Sequence, residues 1–239
     1  KIYIDDLEKY LKINSIGIAN YRNSVDFYIN GQLVTEIVIP DSVNVIPFGA
    51  FQGCSRIKKV EIPDGVTQIK SSAFYGCTRL EEINFPQTIE EIDATAFYNC
   101  VSLKKVSLPG SIKKFEYGIF GGCSNIEEAV LENGITEVGG DMFVSCINLI
   151  HVELPDTLKK IGDSAFAGCE KIEEIKIPDT VTKISEGAFR FCYNLEVVNI
   201  PNNVTEIEKE VFCKCARLKN IKLSENIQKI GDSAFKGCS

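Results

Sequence analysis

Phenylalanine recurs at Phe51, Phe74, Phe97, Phe120, Phe143, Phe166, Phe189, Phe212 and Phe235, each 23 residues after the last. A cysteine follows every one of them three positions later, from Cys54 to Cys238, and no insertion disturbs the spacing. A fixed period between about 20 and 50 residues is the mark of supersecondary units stacked in a row. A unit this short cannot bury its own apolar side. Its stability must come from the units above and below it.

One unit, Ile57 to Arg79, shows what a lap contains. The stretch IKKVEIP alternates apolar and polar residues, with Val60 and Ile62 inward, and reads as a short strand. Pro63 ends it, because proline has no N–H to give to a ladder. Asp64-Gly65-Val66 reads as a turn, and Val66 and Ile69 then point inward. SSAFYGC is too short for a stable helix and is expected to form one helical turn carrying Ala73, Phe74 and Cys77 inward. Proline recurs at Pro40, Pro63, Pro86, Pro109, Pro155, Pro178 and Pro201, and is replaced by Glu132 and Ser224 in two coils. The predicted fold is a β-rich, right-handed solenoid of about nine such repeats. Short parallel strands form one side and short helical turns the other. At the parallel-strand spacing nine coils make a rod on the order of 43 Å long, with the phenylalanines as a continuous spine.

Ten cysteines would ordinarily suggest disulfides or zinc. Here nine stand one per lap, whereas metal ligands cluster and disulfide frameworks are irregular. Stacked rungs would place Cβ atoms farther apart than the roughly 3.8 Å of a disulfide. The ladder therefore reads as buried, reduced thiols filling small apolar sites. Cys213 alone lies outside it, on a flank where other coils carry Tyr75, Arg190 or Lys236, and is expected to be more exposed. Tyr75, Tyr98, Phe191 and Tyr193 share that flank and are expected to stack along the rod, or to offer a platform for a glycan.

The unit L-x-x-V-x-I-P-x-x-V-x-x-I-x-x-x-A-F-x-x-C resembles the BspA-like leucine-rich repeat family from about Val34 to Cys238. The cysteine before the strand and the proline after it, as in Cys77 and Pro86, depart from the common leucine-rich pattern. The amino-terminal stretch also resembles that family's entry segment. Asp5 or Asp6 can cap a short helix bearing Leu7, Tyr10 and Leu11, and Asn30-Gly31 between two β-rich runs signals a hairpin. Residues 1–33 are thus read as a capping segment and 34–239 as the solenoid, with no cap expected at the carboxyl end. The resemblance implies a secreted or cell-surface protein with an interaction or adhesion role toward a protein or extracellular-matrix ligand. A structural spacer without its own ligand is the alternative.

Other classes find little support. The net charge of −7 disfavours nucleic acid as a partner. No run approaches the roughly 18 apolar residues of a membrane span, so membrane insertion is not expected. There is one histidine, no phosphate-binding loop, no nucleophile elbow and no His-Glu-x-x-His. Neither an enzyme nor a cofactor is expected. The sequon Asn203-Val204-Thr205 places Val204 inward and carries no weight. Oligomeric state stays open, with weak end-to-end or Cys213-mediated association as possibilities.

The exposed strand positions supply the candidate site. Lys58-Lys59, Glu81-Glu82, Lys104-Lys105 and Glu127-Glu128 alternate in sign, which predicts Lys–Glu pairing between in-register neighbours. The alternation ends at Ile150-His151. Val130 and Val197 lie nearby on the same face, Glu132 replaces proline, Ile119 and Met142 replace alanine, and Phe115 replaces an aliphatic residue. Either the central coils repack and bend the rod, or an apolar patch between acidic strips recognises a partner. The candidate partner-binding set is Glu128, Val130, Ile150, His151, Glu153, Glu174 and Val197. His151 with Glu128, Glu153 and Glu174 could in principle hold a metal, but metal sites need several convergent ligands, and a surface role is the plainer reading.

Overall fold

The computed structural model describes residues 1–13 and 25–238. At the amino terminus β1 (Ile2–Ile4) pairs in parallel with β2 (Phe27–Ile29), and β2 turns back antiparallel into β3 (Gln32–Leu33). Asn30 and Gly31, both with positive φ, make the predicted hairpin turn. Helix α1 (Leu7–Leu11) is capped by Asp6, whose carboxylate accepts the Lys9 N–H. Tyr10 donates its hydroxyl to the Ala50 carbonyl at 2.6 Å, and the Val25 N–H reaches the Gly53 carbonyl. These contacts lay the segment on the first coil.

The solenoid carries two strands per lap. In chain order they are β4 (Glu36–Val38), β5 (Val45–Ile46), β6 (Lys59–Glu61), β7 (Gln68–Ile69), β8 (Glu82–Ile83), β9 (Glu91–Ile92), β10 (Lys105–Leu108), β11 (Lys114–Phe115), β12 (Glu128–Leu131) and β13 (Glu137–Val138). They continue as β14 (His151–Glu153), β15 (Lys160–Ile161), β16 (Glu174–Ile175), β17 (Lys183–Ile184), β18 (Val197–Asn199), β19 (Glu206–Ile207), β20 (Asn220–Lys222) and β21 (Lys229–Ile230). Even-numbered strands from β4 stack in parallel on one another, as do odd-numbered strands from β5. Each pairs with the strand 23 residues away, Lys59 opposite Glu82 for example. The first strand of each lap was legible in the alternation. The second, from V-x-x-I, is only two residues long, too short for its alternation to mark a strand in the sequence.

The expected helical turn is not helical. In Lys70–Cys77, Ala73, Tyr75 and Cys77 donate their N–H groups three residues back within their own lap. Ser72, Phe74 and Gly76 donate instead to Ala94, Ala96 and Tyr98 of the next lap, at 2.8–3.1 Å. A helix would keep every N–H inside its own segment. Here every second one points along the rod. The alternation needs left-handed residues at two fixed places per lap. Ser72 (φ 56°) and Gly76 (φ 69°) are one such pair, and Asp141 (φ 51°) with Ser145 (φ 59°) another. Non-glycine residues pay about 1 kcal/mol or more for this conformation, which the inter-lap bonds offset.

These turn columns run without a break. Phe51 donates to Ala73, and so on lap by lap to Phe212 and Ala234, at 2.7–3.0 Å. Behind them the phenylalanine rings stack nearly face to face with centroids 5.1–5.7 Å apart from Phe51 to Phe235. Phe27 of the amino-terminal segment extends the spine edge-on, 5.5 Å from Phe51. Its 24-residue offset hid it in the sequence. Tyr75 and Tyr98 stack on the flank at 5.5 Å, as expected, whereas Phe191 and Tyr193 meet within one lap with their rings tilted by 60° and do not stack along the rod.

The cysteines are free and have a polar role as well as a packing one. The Cys77 thiol donates to the Phe51 carbonyl at 3.1 Å, and each following thiol does the same 26 residues back, to Cys238 on Phe212. That carbonyl also accepts the N–H of its own lap's cysteine, as Phe51 does from Cys54 at 3.0 Å. A small donor is needed at this buried position, and alanine would leave the second lone pair unused. Cys213 is more exposed than the fully buried thiols from Cys54 to Cys215, yet at 8% it is still buried. Little thiol surface is left there for a bridge between molecules.

The strand columns, unlike the turns, are interrupted. The even column divides into β4-β6-β8, β10-β12-β14 and β16-β18-β20, and the odd column into β5-β7-β9-β11, β13-β15-β17 and β19-β21. Within each group a residue's N–H reaches the carbonyl 23 positions earlier: Glu81 to Lys58, Glu127 to Lys104, Ile150 to Glu127. Lys104 to Glu81 and Glu173 to Ile150 are absent from this series, as are Thr136 to Lys113 and Thr205 to Thr182 in the odd column. The ring stack and the turn columns run through all four interruptions.

Replacing Phe120, fully buried mid-spine, with alanine is expected to destabilise the protein by about 3–5 kcal/mol in urea unfolding. Burial pushes the Cys54 and Cys192 thiols up to about 12, and those of Cys77, Cys100, Cys146 and Cys169 well above the ordinary value. The thiolate is the charged form, so the unfolded chain releases these protons first. Stability is whole below the unfolded value of about 8.5 and falls as pH rises toward 12, by up to about 1.4 kcal/mol per pH unit for each thiol. Urea midpoints taken at several pH values above neutrality should show this decline, and Cys54→Ala should flatten it by one proton's worth.

Candidate functional site

The even-strand face carries the seven residues singled out above, and the structure divides them. Sheet β10-β12-β14 holds Glu128, Val130, His151 and Glu153, with Glu128 opposite His151 and Val130 opposite Glu153. Glu174 and Val197 are opposite each other in the next sheet. Between the two groups lies the missing rung from Glu173 to Ile150. Ile150 is 52% exposed at its edge. His151 and Glu153 are exposed, and Val130 and Val197 half-buried. Behind the gap the inward residues Val152 and Leu154 are only half-buried.

The local chemistry is ionic and modest. His151 Nε2 lies 3.0 Å from Glu153 Oε1 on its own strand. Glu128 is held by Lys105 at 2.7 Å, and Glu174 lies across the gap. His151 and the three glutamates do not converge on one point, so they do not form the cluster a metal requires. Among the described residues the one convergent acidic trio is Glu91, Asp93 and Glu116 on the odd-strand side. Lys114 sits within it, 2.8 Å from Glu91 and 3.0 Å from Glu116, and Lys70 lies 3.6 Å from Asp93. Burial raises the Asp93 carboxyl above the usual range. The trio is an ion-pair network with its cations already in place.

The charge pairing predicted for the early coils is realised only in part. Lys105 does bond Glu128 across the sheet. Lys59, although in register with Glu82, turns along its own strand to Glu61 at 2.8 Å. Two residues along one face of a strand are close enough for a long side chain to choose either neighbour. Repacking of the central coils is also visible. Ile119 and Met142 are fully buried where alanine is usual, and Ala129 is fully buried in a column otherwise valine or isoleucine. Volume is exchanged within those laps while Ile150 stays outside.

Asn84 was missed by the sequence reading. Its side-chain amide accepts the Ile62 N–H at 3.0 Å and donates to the Ile62 carbonyl at 2.9 Å. In other laps the equivalent N–H goes to backbone, Ile39 to Glu61 and Ile200 to Lys222 for example. The side chain stands in for the main chain where β8 turns away from β10. Asn199 occupies the equivalent position without such bonds, so residue type alone gives no signal.

Residues 23–150 and 136–239 match the model of the BspA-type leucine-rich repeat region, in six copies. The chain belongs to the BspA-type leucine-rich repeat family. A leucine-rich cell surface protein from Faecalibacterium prausnitzii A2-165 is similar in crystal structure over 86% of this chain and 67% of its own, at 27% identity and a TM-score of 0.66. A leucine-rich repeat protein from Eubacterium ventriosum is 31% identical over 69% of this chain, with a TM-score of 0.62, and the match spans 44% of that protein. No curated protein matches the chain. Among the described residues no helix is long and apolar enough to cross a membrane.

Truncating Asn84 to alanine in this BspA-type solenoid removes two hydrogen bonds, and a loss of about 1–3 kcal/mol is expected. Thermal unfolding checks it.

Proposed function

We propose that this chain is a cell-surface interaction module that binds a protein or matrix ligand through its even-strand face. The observation that carries this reading is Ile150, 52% exposed beside a broken rung and among Glu153, Glu173 and Glu174. An exposed apolar residue of this size, on a face that also carries half-buried Val130 and Val197 and is rimmed by charge, has the make-up of a contact centre. A scaffold held by continuous columns of hydrogen bonds lowers the ordering cost of binding. The similarity to a leucine-rich cell surface protein of F. prausnitzii supports a surface location, and release into the medium is compatible with the same reading. A spacer would need no such patch.

Binding of the purified chain to immobilised extracellular-matrix proteins and to host-cell surfaces tests the proposal. Ile150→Glu places a further carboxylate in the patch and should reduce binding by about tenfold or more, with the fold unchanged by circular dichroism. Undiminished binding would remove this patch, and absence of all binding would favour the spacer.

A further inference from the structure

The first gap in the even column, between β8 and β10, is an open cleft of about 540 Å³, within the size range of ligand sites. Its floor is Ile83, and its walls include Lys59, Glu81, Glu82, Lys104 and Lys105. Ile83 is half-buried, whereas its counterparts Val60, Val106 and Ala129 are fully buried. The core column is thus reachable from outside at this point. The Glu81 carbonyl and Lys104 N–H, which a continuing ladder would join, are not bonded to each other.

The charges around the cleft are unequal in availability. Lys59 is engaged by Glu61 and Lys105 by Glu128. Among the described residues Glu81, Glu82 and Lys104 make no ion pair, which leaves two unpaired carboxylates against one unpaired ammonium. That excess of negative charge over an apolar floor, beside an open backbone donor and acceptor, fits one class of occupant.

We propose that the β8–β10 cleft binds an extended peptide segment of a partner protein, with an apolar residue set between two basic ones. The segment would add its backbone at the broken rung, accepting from the Lys104 N–H and donating to the Glu81 carbonyl. Alternation along an extended chain sends the apolar residue inward to Ile83 and both its basic neighbours outward, toward the mouth that Glu81 and Glu82 line. The second gap has Ile150 in place of Glu81 and Glu173-Glu174 in place of Lys104-Lys105, so it offers different chemistry. This site is separate from the Ile150 patch.

The test is an NMR titration of the ¹⁵N-labelled chain with an end-blocked pentapeptide, Thr-Lys-Val-Lys-Thr. Amide shifts should concentrate at residues 81–84 and 104–107, with affinity in the millimolar-to-micromolar range. E81Q/E82Q, both at exposed positions, should weaken binding about tenfold, as should N-methylation of the peptide's valine. Ile150→Glu should leave it unchanged. Equal binding of the peptide with glutamate in place of lysine would overturn the proposal. So would binding that survives E81Q/E82Q, shifts confined to other residues, or no binding at millimolar peptide. Shifts at 81–84 that follow protein concentration alone would place a second copy of the chain in the cleft, and would also overturn it.

Discussion

The hydrogen bonds that run along the rod from turn to turn are the constraint on which the other features depend. In each lap three N–H groups, those of Ser72, Phe74 and Gly76 in one example, leave their own segment for the next lap. That requirement fixes the left-handed residues on either side of the phenylalanine and rules out a helix there. It brings successive rings into stacking. It also leaves the phenylalanine carbonyl with a second lone pair that the thiol of the next lap occupies. Phenylalanine, cysteine and the turn glycines are therefore parts of one arrangement, and a lap one residue longer would put every donor out of step.

Much of this was legible in the amino-acid order. The period alone sets the stacking, and the alternation around Val60 and Ile62 sets one strand and its inward face. Asn30-Gly31 set the hairpin. The turn was misread because apolar spacing of Ala73, Phe74 and Cys77 suits a helical turn and an inter-lap turn alike. The difference lies in where alternate N–H groups go, which no side chain announces. Phe27 was missed because it joins the spine from outside the repeat. Cysteine was read as filler because its donor role exists only once a carbonyl 26 residues away is in place.

The candidate site was visible as a departure from charge alternation, but its cause was not. Ile150 and His151 mark the edge of a sheet whose continuation to Glu173-Glu174 is interrupted. Such interruptions recur every three laps in both strand columns, a property of the stack rather than of any one unit. The same holds for Glu81 and Glu82, which are ordinary in sequence and acquire significance from the open cleft beside them.

The even strands part between the laps of Glu81 and Lys104, and the odd strands one interface later, between those of Lys113 and Thr136. Three laps on, the offset recurs at Ile150 and Glu173, then at Thr182 and Thr205. The joints are staggered like courses of brick. No single cross-section severs both walls, so a pull along the axis meets at least one intact wall, and the unbroken turn seam, wherever it tries to start a tear.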